Sequence, residues 1–292
     1  MSLVSFVRVH DAGYASLKEG IKASLNLIHF DFNRSPENIV IKPNMCYYHH
    51  PSTGEVTDPS FVAALIDVLR ENLARVGKIS IVESDASAME CKKAFHILEY
   101  DKMAEEKDVE MINLSETRSR AIETLIDGSK FTFQVPELFY EAGLIVNVPK
   151  PKYMGGPKIS CALKNFYGCN AYPRKLIYHR VLHDAIVFMN KQIKTDLVVF
   201  DGLVVAGKHA KRLNMILSSQ DPVAADAAAA ELMQISPNTI KHLALASCQG
   251  IGSLNFTPIG DFSFFKKTYP AKKLKDNMRE RIASLYLKII RQ

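Results

Sequence analysis

Apolar and polar positions along this chain switch period repeatedly. Leu3 to His10 alternates, as a strand with one buried face does. Tyr14 to Phe30 sets Leu17, Ile21, Leu25 and Ile28 at helical spacing, which predicts an amphipathic helix. Asn38-Ile39-Val40-Ile41 predicts a short buried strand that ends at Lys42-Pro43-Asn44. Met45 to Glu55 reads as a loop rich in His, Tyr, Pro and Gly. Thr57-Asp58-Pro59 predicts a helix start, with Asp58 as cap, Pro59 in the first turn and Phe61, Leu65, Val68 and Leu69 as the apolar stripe. Lys78 to Val82 predicts the next strand, followed by Glu83-Ser84-Asp85.

The second half alternates in the same way. Cys91 to Leu98 and Asp101 to Glu106 carry helical patterns, and Val109 to Ile112 suits a strand. Ala121 to Ile126 and Lys130 to Val135 flank Asp127-Gly128-Ser129, a hairpin signal. A short helix over Pro136 to Ala142 leads into an apolar strand, Gly143 to Val148. Helices are predicted from Ile159 to Phe166 and from Tyr178 to Gln192. Asp196 to Phe200 reads as a strand closed by Asp201-Gly202, and Leu213 to Leu217 as another. Asp221-Pro222 opens an alanine-rich helix to Met233, and Pro237 to Ser247 predicts one more. This alternation predicts an α/β fold: a mostly parallel sheet flanked by helices, with a β-hairpin insertion or antiparallel edge. No linker divides residues 1–264, so one body is expected, with two lobes around a crevice as the variant.

Composition changes this picture at one end only. The 292 residues are 47% hydrophobic and 23% charged, ordinary for a globular chain. The net charge of +6 is uneven: residues 266–292 carry nine Lys or Arg against two acids, leaving the rest near neutral. Residues 265–292 are read as a basic tail, with Met278, Ile282, Leu285 and Ile289 at helical spacing. Packing on the chain's own core is the favoured reading, and contact with a membrane or acidic partner the lesser one. No nucleic-acid partner is expected; a homo-oligomer stays open. Five scattered cysteines with no Cys-x-x-Cys suit a reducing compartment, so a cytoplasmic location is expected. No apolar run approaches the ~20 residues of a membrane helix, and phosphate-loop and dinucleotide glycine patterns are absent.

Candidate chemistry concentrates between Asn147 and Asn170. Asn147-Val148-Pro149-Lys150-Pro151-Lys152, a Gly155-Gly156 turn, and Ala162-Leu163-Lys164-Asn165-Phe166-Tyr167-Gly168 follow a buried strand. Polar groups past a parallel strand's carboxyl end face the crevice where ligands bind. Lys42, Lys150, Lys152 and Lys164 suit a carboxylate or phosphate, and crowded ammonium groups lower one another's pKa, which makes a base or imine-forming nucleophile. Asn44, Asn147 and Asn165 supply either ligand contacts or turn hydrogen bonds. Thr57, Asp58, Gly168 and Asp201 complete the predicted binding set. His179 and His183, four apart, read as acid–base candidates, with a metal pair as a lesser alternative. Asp226, in the alanine-rich helix, is expected to be buried and so to need a partner, either a lysine or the Asn147-to-Gly168 segment.

These motifs resemble the uncharacterised family filed as domain of unknown function number 362. The resemblance rests on Ile41-Lys42-Pro43-Asn44, Thr57-Asp58-Pro59, the Asn147-to-Lys152 and Ala162-to-Gly168 segments, His179, Val199-Phe200-Asp201-Gly202 and Asp221-Pro222-Val223-Ala224-Ala225-Asp226. It implies no general activity and leaves cofactors unknown. Some members carry a cysteine-rich ferredoxin-like module, which this chain lacks. The expected function is an enzyme acting on a small anionic metabolite in a Lys/Asn-rich crevice, with Lys164, His179 and Asp226 as catalytic candidates and no metal ligands. An iron–sulfur redox protein and a non-catalytic binding or scaffold module remain as alternatives.

Overall fold

β-branched runs become the strands of one large sheet. The computed structural model describes residues 1–10 and 13–272; the basic segment expected to form a helix around Met278 to Ile289 lies outside the described residues. In chain order come β1 (Ser2–Arg8), α1 (Tyr14–Leu27), β2 (Asn38–Pro43), α2 (Pro59–Asn72), β3 (Lys78–Glu83), α3 (Cys91–Ile97), α4 (Tyr100–Glu106) and β4 (Glu110–Asn113). A hairpin of β5 (Ser119–Ile126) and β6 (Ser129–Pro136) follows, then α5 (Leu138–Glu141) and β7 (Leu144–Val148). Two-residue strands β8 (Lys152–Tyr153) and β9 (Ile159–Ser160) precede α6 (Ala162–Tyr167) and α7 (Leu182–Gln192). The rest is β10 (Leu197–Val205), β11 (Lys211–Ser219), α8 (Pro222–Leu232), α9 (Lys241–Cys248), β12 (Phe256–Gly260) and α10 (Phe262–Thr268).

The eight-stranded sheet has the order β12-β1-β11-β10-β7-β2-β3-β4. β10, β7, β2, β3 and β4 pair in parallel, β11 runs against both its neighbours, and β1 pairs in parallel with β12. From β2 the chain moves outward to β3 and β4, then returns on the other side of β2 as β7. The order therefore reverses between β2 and β7, and their carboxyl ends flank the crevice where such sheets place ligands. The hairpin forms its own two-stranded sheet, with Asp127 and Gly128 both at positive φ (49° and 73°) as its tight turn requires.

Strand alternation sorts the core into two layers. Ile39 and Ile41 of β2, Leu144, Val146 and Val148 of β7, and Leu197 and Val199 of β10 pack with α1 to α4. Val40, Ile145, Val198 and Phe200, the residues between them, pack with α6 to α9 and the hairpin. The same parity carries into the polar ends. Lys42 and Asn147 fall in step with Val40 and Ile145, toward α6. Asp201 falls in step with Val199, toward the start of α2.

Several boundaries differ from the sequence reading. β10 does not close at Asp201-Gly202 but continues to Val205, with a register irregularity between Gly202 and Val204. A side chain at 202 would meet Met215 within 2.7 Å, so glycine lets β10 stay paired through the bend. The helix expected over Tyr178 to Gln192 is a 3-10 segment, Lys175–Val181, followed by α7. β12 went unread because its Phe256-Thr257-Pro258-Ile259-Gly260 pattern is short and holds a proline, which an edge strand tolerates.

One glycine fixes the loop between β2 and α2 against the sheet. Gly54 has φ 75°, and a Cβ there would lie 2.4 Å from the backbone of Val205 and Ala206. Both the left-handed conformation and the close approach demand glycine. Gly54→Ala is expected to destabilise the protein by about 2 kcal/mol or more, read as a lowered denaturation midpoint. An unchanged midpoint would mean that this contact does not hold the loop.

Candidate functional site

A pocket of about 510 Å³ opens at the carboxyl ends of β2 and β3, beside α6. Lys42, Asn44, Lys152, Lys164, Asn165, Gly168 and His179 line it. Lys150, Asn147, Thr57, Asp58, Asp201 and Asp226 do not. Residues that the sequence reading left out of its site set also line it: Cys46, Glu83, Tyr167 and Lys175, with Met45, Met89, Met154, Leu176 and Tyr153 as apolar wall.

The amides form a directional chain beneath this pocket. Lys152 Nζ donates to Asn44 Oδ1 at 2.6 Å, and Asn44 Nδ2 donates to Asn165 Oδ1 at 2.9 Å. Asn165 Nδ2 donates to Asn147 Oδ1 at 2.8 Å, and Asn147 Nδ2 to the Ala162 carbonyl at 2.9 Å. Asn44, Asn147 and Asn165 are all buried, so each needs these bonds. Lys152 spends its other two donors on the Glu55 carbonyl, 2.8 Å, and Cys46 Sγ, 3.0 Å.

The four lining lysines are not equivalent. Lys42 is buried and pairs with Glu83 at 2.6 Å, also donating to the Pro43 carbonyl. Glu83 is completed by the backbone N–H groups of Ser84 and Met45. Lys175 donates to Ser84 Oγ at 2.7 Å and to the Asp85 carbonyl. Burial pushes its pKa down to about 8 against the pull of Glu83, and the Lys42 charge adds to the fall. Lys164 makes no hydrogen bond and no ion pair among the described residues; its Nζ sits 5.3 Å from the centroid of the Tyr167 ring. Burial, then the charge of Lys152, push it down to about 8, with Cys46 opposing. His179 lies on the exposed rim, its pKa lowered by desolvation and by Lys164.

The remaining candidates are tied elsewhere. Lys150 pairs with Asp201 at 3.1 Å, both fully buried. Asp201 also accepts from the backbone N–H groups of Asp58 and Leu203. Burial lowers the Lys150 pKa despite this partner. The pair sits on the α2 side of the sheet, as the parity of β10 requires. Thr57 joins the ends of β2 and β7, accepting from Asn44 N–H and donating to the Val148 carbonyl. Asp58 caps α2 through Ser60 N–H. Asp226 is buried and accepts from Ala162 N–H at 2.6 Å and Leu163 N–H at 3.0 Å, so its partners are the backbone of α6 rather than a lysine. Burial pushes its carboxyl up to about 7, against those two hydrogen bonds. His183 belongs to α7 and faces His242, Nδ1 to Nδ1 at 3.4 Å, so the four-residue spacing does not join it to His179 on one helix. Among the described residues no three His, Cys, Asp or Glu side chains converge as metal ligands.

Lys175 carried no sequence signal: it lies in an irregular Tyr172-Pro173-Arg174 stretch, and only the tertiary fold brings it to Ser84. Glu83 had one, an acid at the end of a strand beside the strand that ends in Lys42.

The chain belongs to the family described as Domain of unknown function (DUF362), whose profile matches residues 39–231. A thylakoid-associated protein of Synechocystis sp. is 21% identical over 266 residues, spanning 85% of this chain and 78% of that protein. The lactate racemase apoprotein from Thermoanaerobacterium thermosaccharolyticum superposes with a TM-score of 0.49 at 14% identity, over 76% of this chain and 55% of that structure. This chain thus matches about half the length of that structure. No helix among the described residues is long and apolar enough to cross a membrane.

Two measurements test this electrostatic arrangement. Lys152→Met removes a like charge near Lys164, so the Lys164 pKa should rise above about 8, read by side-chain NMR titration or the pH dependence of acylation. An unmoved midpoint in a folded variant would show that another group sets it. Asp226 keeps its proton to about pH 7 when folded, against 3.8 as the ordinary value. The folded state therefore binds the extra proton between those values, and this residue makes stability fall as pH rises across that window, by at most about 1.4 kcal/mol per unit. Asp226→Asn cannot titrate, so the stability of wild type relative to this variant should decline from pH 4 to pH 7. A constant difference would rule out the raised carboxyl pKa.

Proposed function

We propose that the protein is an enzyme acting on a small anionic metabolite, a carboxylate or phosphate, with Lys164 as its reactive amine. The observation that carries this reading is the lone state of Lys164. It lines the pocket and, among the described residues, has its three ammonium donors unspent and no ion-pair partner, since the pocket's acids Glu83 and Glu55 pair with Lys42 and His49. Lys152 supplies a fixed positive charge next to it, and Lys175 keeps one donor free. An anion entering here gains charge-assisted hydrogen bonds in a partly desolvated setting. A pKa near 8 leaves an appreciable fraction of free amine at neutral pH, the property of a general base or nucleophile. His179 on the rim is placed for proton exchange with solvent. The amide chain and Asp226 act beneath it by holding α6, and so Lys164, in place.

Anion binding should be seen by calorimetry with inorganic phosphate and short-chain carboxylates. The protonated amine binds the anion, so affinity should fall as pH rises through about 8, by up to about tenfold per unit. Lys164→Met should weaken binding and reduce that pH dependence to the share left by Lys175, while the fold persists. Affinity that is flat across this range, or unaltered by the substitution, would end the reading.

A further inference from the structure

We propose that the pocket takes oxo acids with an apolar body, and that Lys164 Nζ attacks their carbonyl carbon to form an imine. This rests on the anionic-metabolite reading above and names its substrate class. The inference starts from how the lining ammonium groups are spent. Lys42 is neutralised by Glu83, and Lys152 has all three donors occupied. Lys175 has two donors occupied. Lys164 has none occupied among the described residues, so its nitrogen alone can present a lone pair without first breaking a bond. Burial of a lysine, aided by a second, immobilised cation beside it, is a known means of keeping an amine unprotonated for imine chemistry.

The other halves of the substrate follow from the same walls. Lys152 holds positive charge beside Lys164, and Lys175 keeps one donor, so the carboxylate belongs near the carbonyl under attack. Met45, Met89, Met154, Leu176 and Tyr153 make much of the remaining wall apolar, beside Glu55, Ser87 and Ser160. At about 510 Å³ the space admits a branched or aromatic side chain as well as the acid. In the step itself, the Nζ lone pair forms the C–N bond as the carbonyl π pair moves to oxygen. Nζ then gives up one proton, and one more is taken from solvent by way of His179. The carbinolamine oxygen leaves as water carrying two protons, and the protonated imine remains. No redox partner is needed. The imine withdraws electrons from the adjacent carbon and so labilises a proton or carboxylate there.

Full-length protein would be incubated with phenylpyruvate and sodium cyanoborohydride, and the reduced adducts located by peptide mass mapping. Phenylpropionate, which has the same body and carboxylate but no carbonyl, is the competitor. The expected result is one adduct per chain, at Lys164, absent in Lys164→Arg and suppressed by excess phenylpropionate. At pH 8 the free-amine fraction of Lys164 exceeds that of an ordinary lysine on the order of a hundredfold, so preferential labelling should be unmistakable. Adducts spread over exposed lysines, with Lys164 labelled no more than they are, would overturn the proposal. So would equal labelling of Lys164→Arg. If phenylpropionate raises the thermal midpoint of wild type but not of Lys164→Met, and no Lys164 adduct forms, imine formation is overturned and anion binding stands. If phenylpropionate neither stabilises the protein nor blocks labelling, the anionic reading falls and takes the oxo acid proposal with it.

Discussion

The carboxamide of Asn165 is the contact on which the site depends. It accepts from Asn44, donates to Asn147, and also reaches the Lys42 carbonyl at 3.2 Å. One buried side chain thereby joins α6 to the carboxyl ends of β2 and β7, the two strands between which the sheet order reverses. Parallel strands end with unpaired backbone groups, and a crevice there would leave them facing an apolar wall. The asparagines satisfy them without charge. Because each amide has a defined donor and acceptor end, the chain from Lys152 to Ala162 has one consistent direction, and a single reversed amide would leave two buried groups unmatched.

The pleat then decides which charges meet. Lys42 and Lys150 both follow buried strands, and from the sequence they look alike. Parity sends Lys42 to the α6 side and gives Asp201, the partner of Lys150, to the α2 side. Each is neutralised by an acid from a neighbouring strand, as a fully buried charge must be. Lys152 and Lys164 come from the short β8 and from α6, and among the described residues neither pairs with an acid, the nearby strand-end acid Glu83 being taken by Lys42. Positive charge is left over where the chain departs from the regular sheet, and this is why the pocket is cationic although residues 1–265 are near neutral overall.

Much of this was legible in the amino-acid sequence. The strands at Asn38, Lys78 and Leu144 and the hairpin at Asp127-Gly128 are written in β-branched runs and turn residues, whose local physics is strong. The clustering of Lys42, Asn44, Lys152, Lys164 and Asn165 followed from reading strand ends as one crevice. What the sequence did not carry is pairing across the sheet. Nothing local says that Lys150 faces Asp201 rather than the pocket, because that depends on strand order and parity together. Lys175 was invisible for a related reason: its segment has no period, and only the packing of Tyr167, whose hydroxyl holds the Lys175 carbonyl at 2.8 Å, places it. The Asp226 carboxylate was expected to seek a lysine or the Asn147-to-Gly168 segment, and the second holds. The small alanines of α8 bring its backbone close enough for Ala162 and Leu163 to reach it.

That last contact links the supporting layer to the reactive one. Asp226 fixes the first two residues of α6, and Asn190 grips the Leu163 carbonyl at 2.8 Å. Lys164 is the next residue. Its backbone is therefore held from two helices while its ammonium group, among the described residues, has no hydrogen bond or ion pair and only the Tyr167 ring beside it, a combination that costs stability but leaves the amine free to meet a ligand. A carboxylate partner would have made α6 more stable and the amine inert. On the proposed reading, the ligand supplies that missing negative charge, which offsets the burial and, after it, the Lys152 charge that together keep the amine reactive.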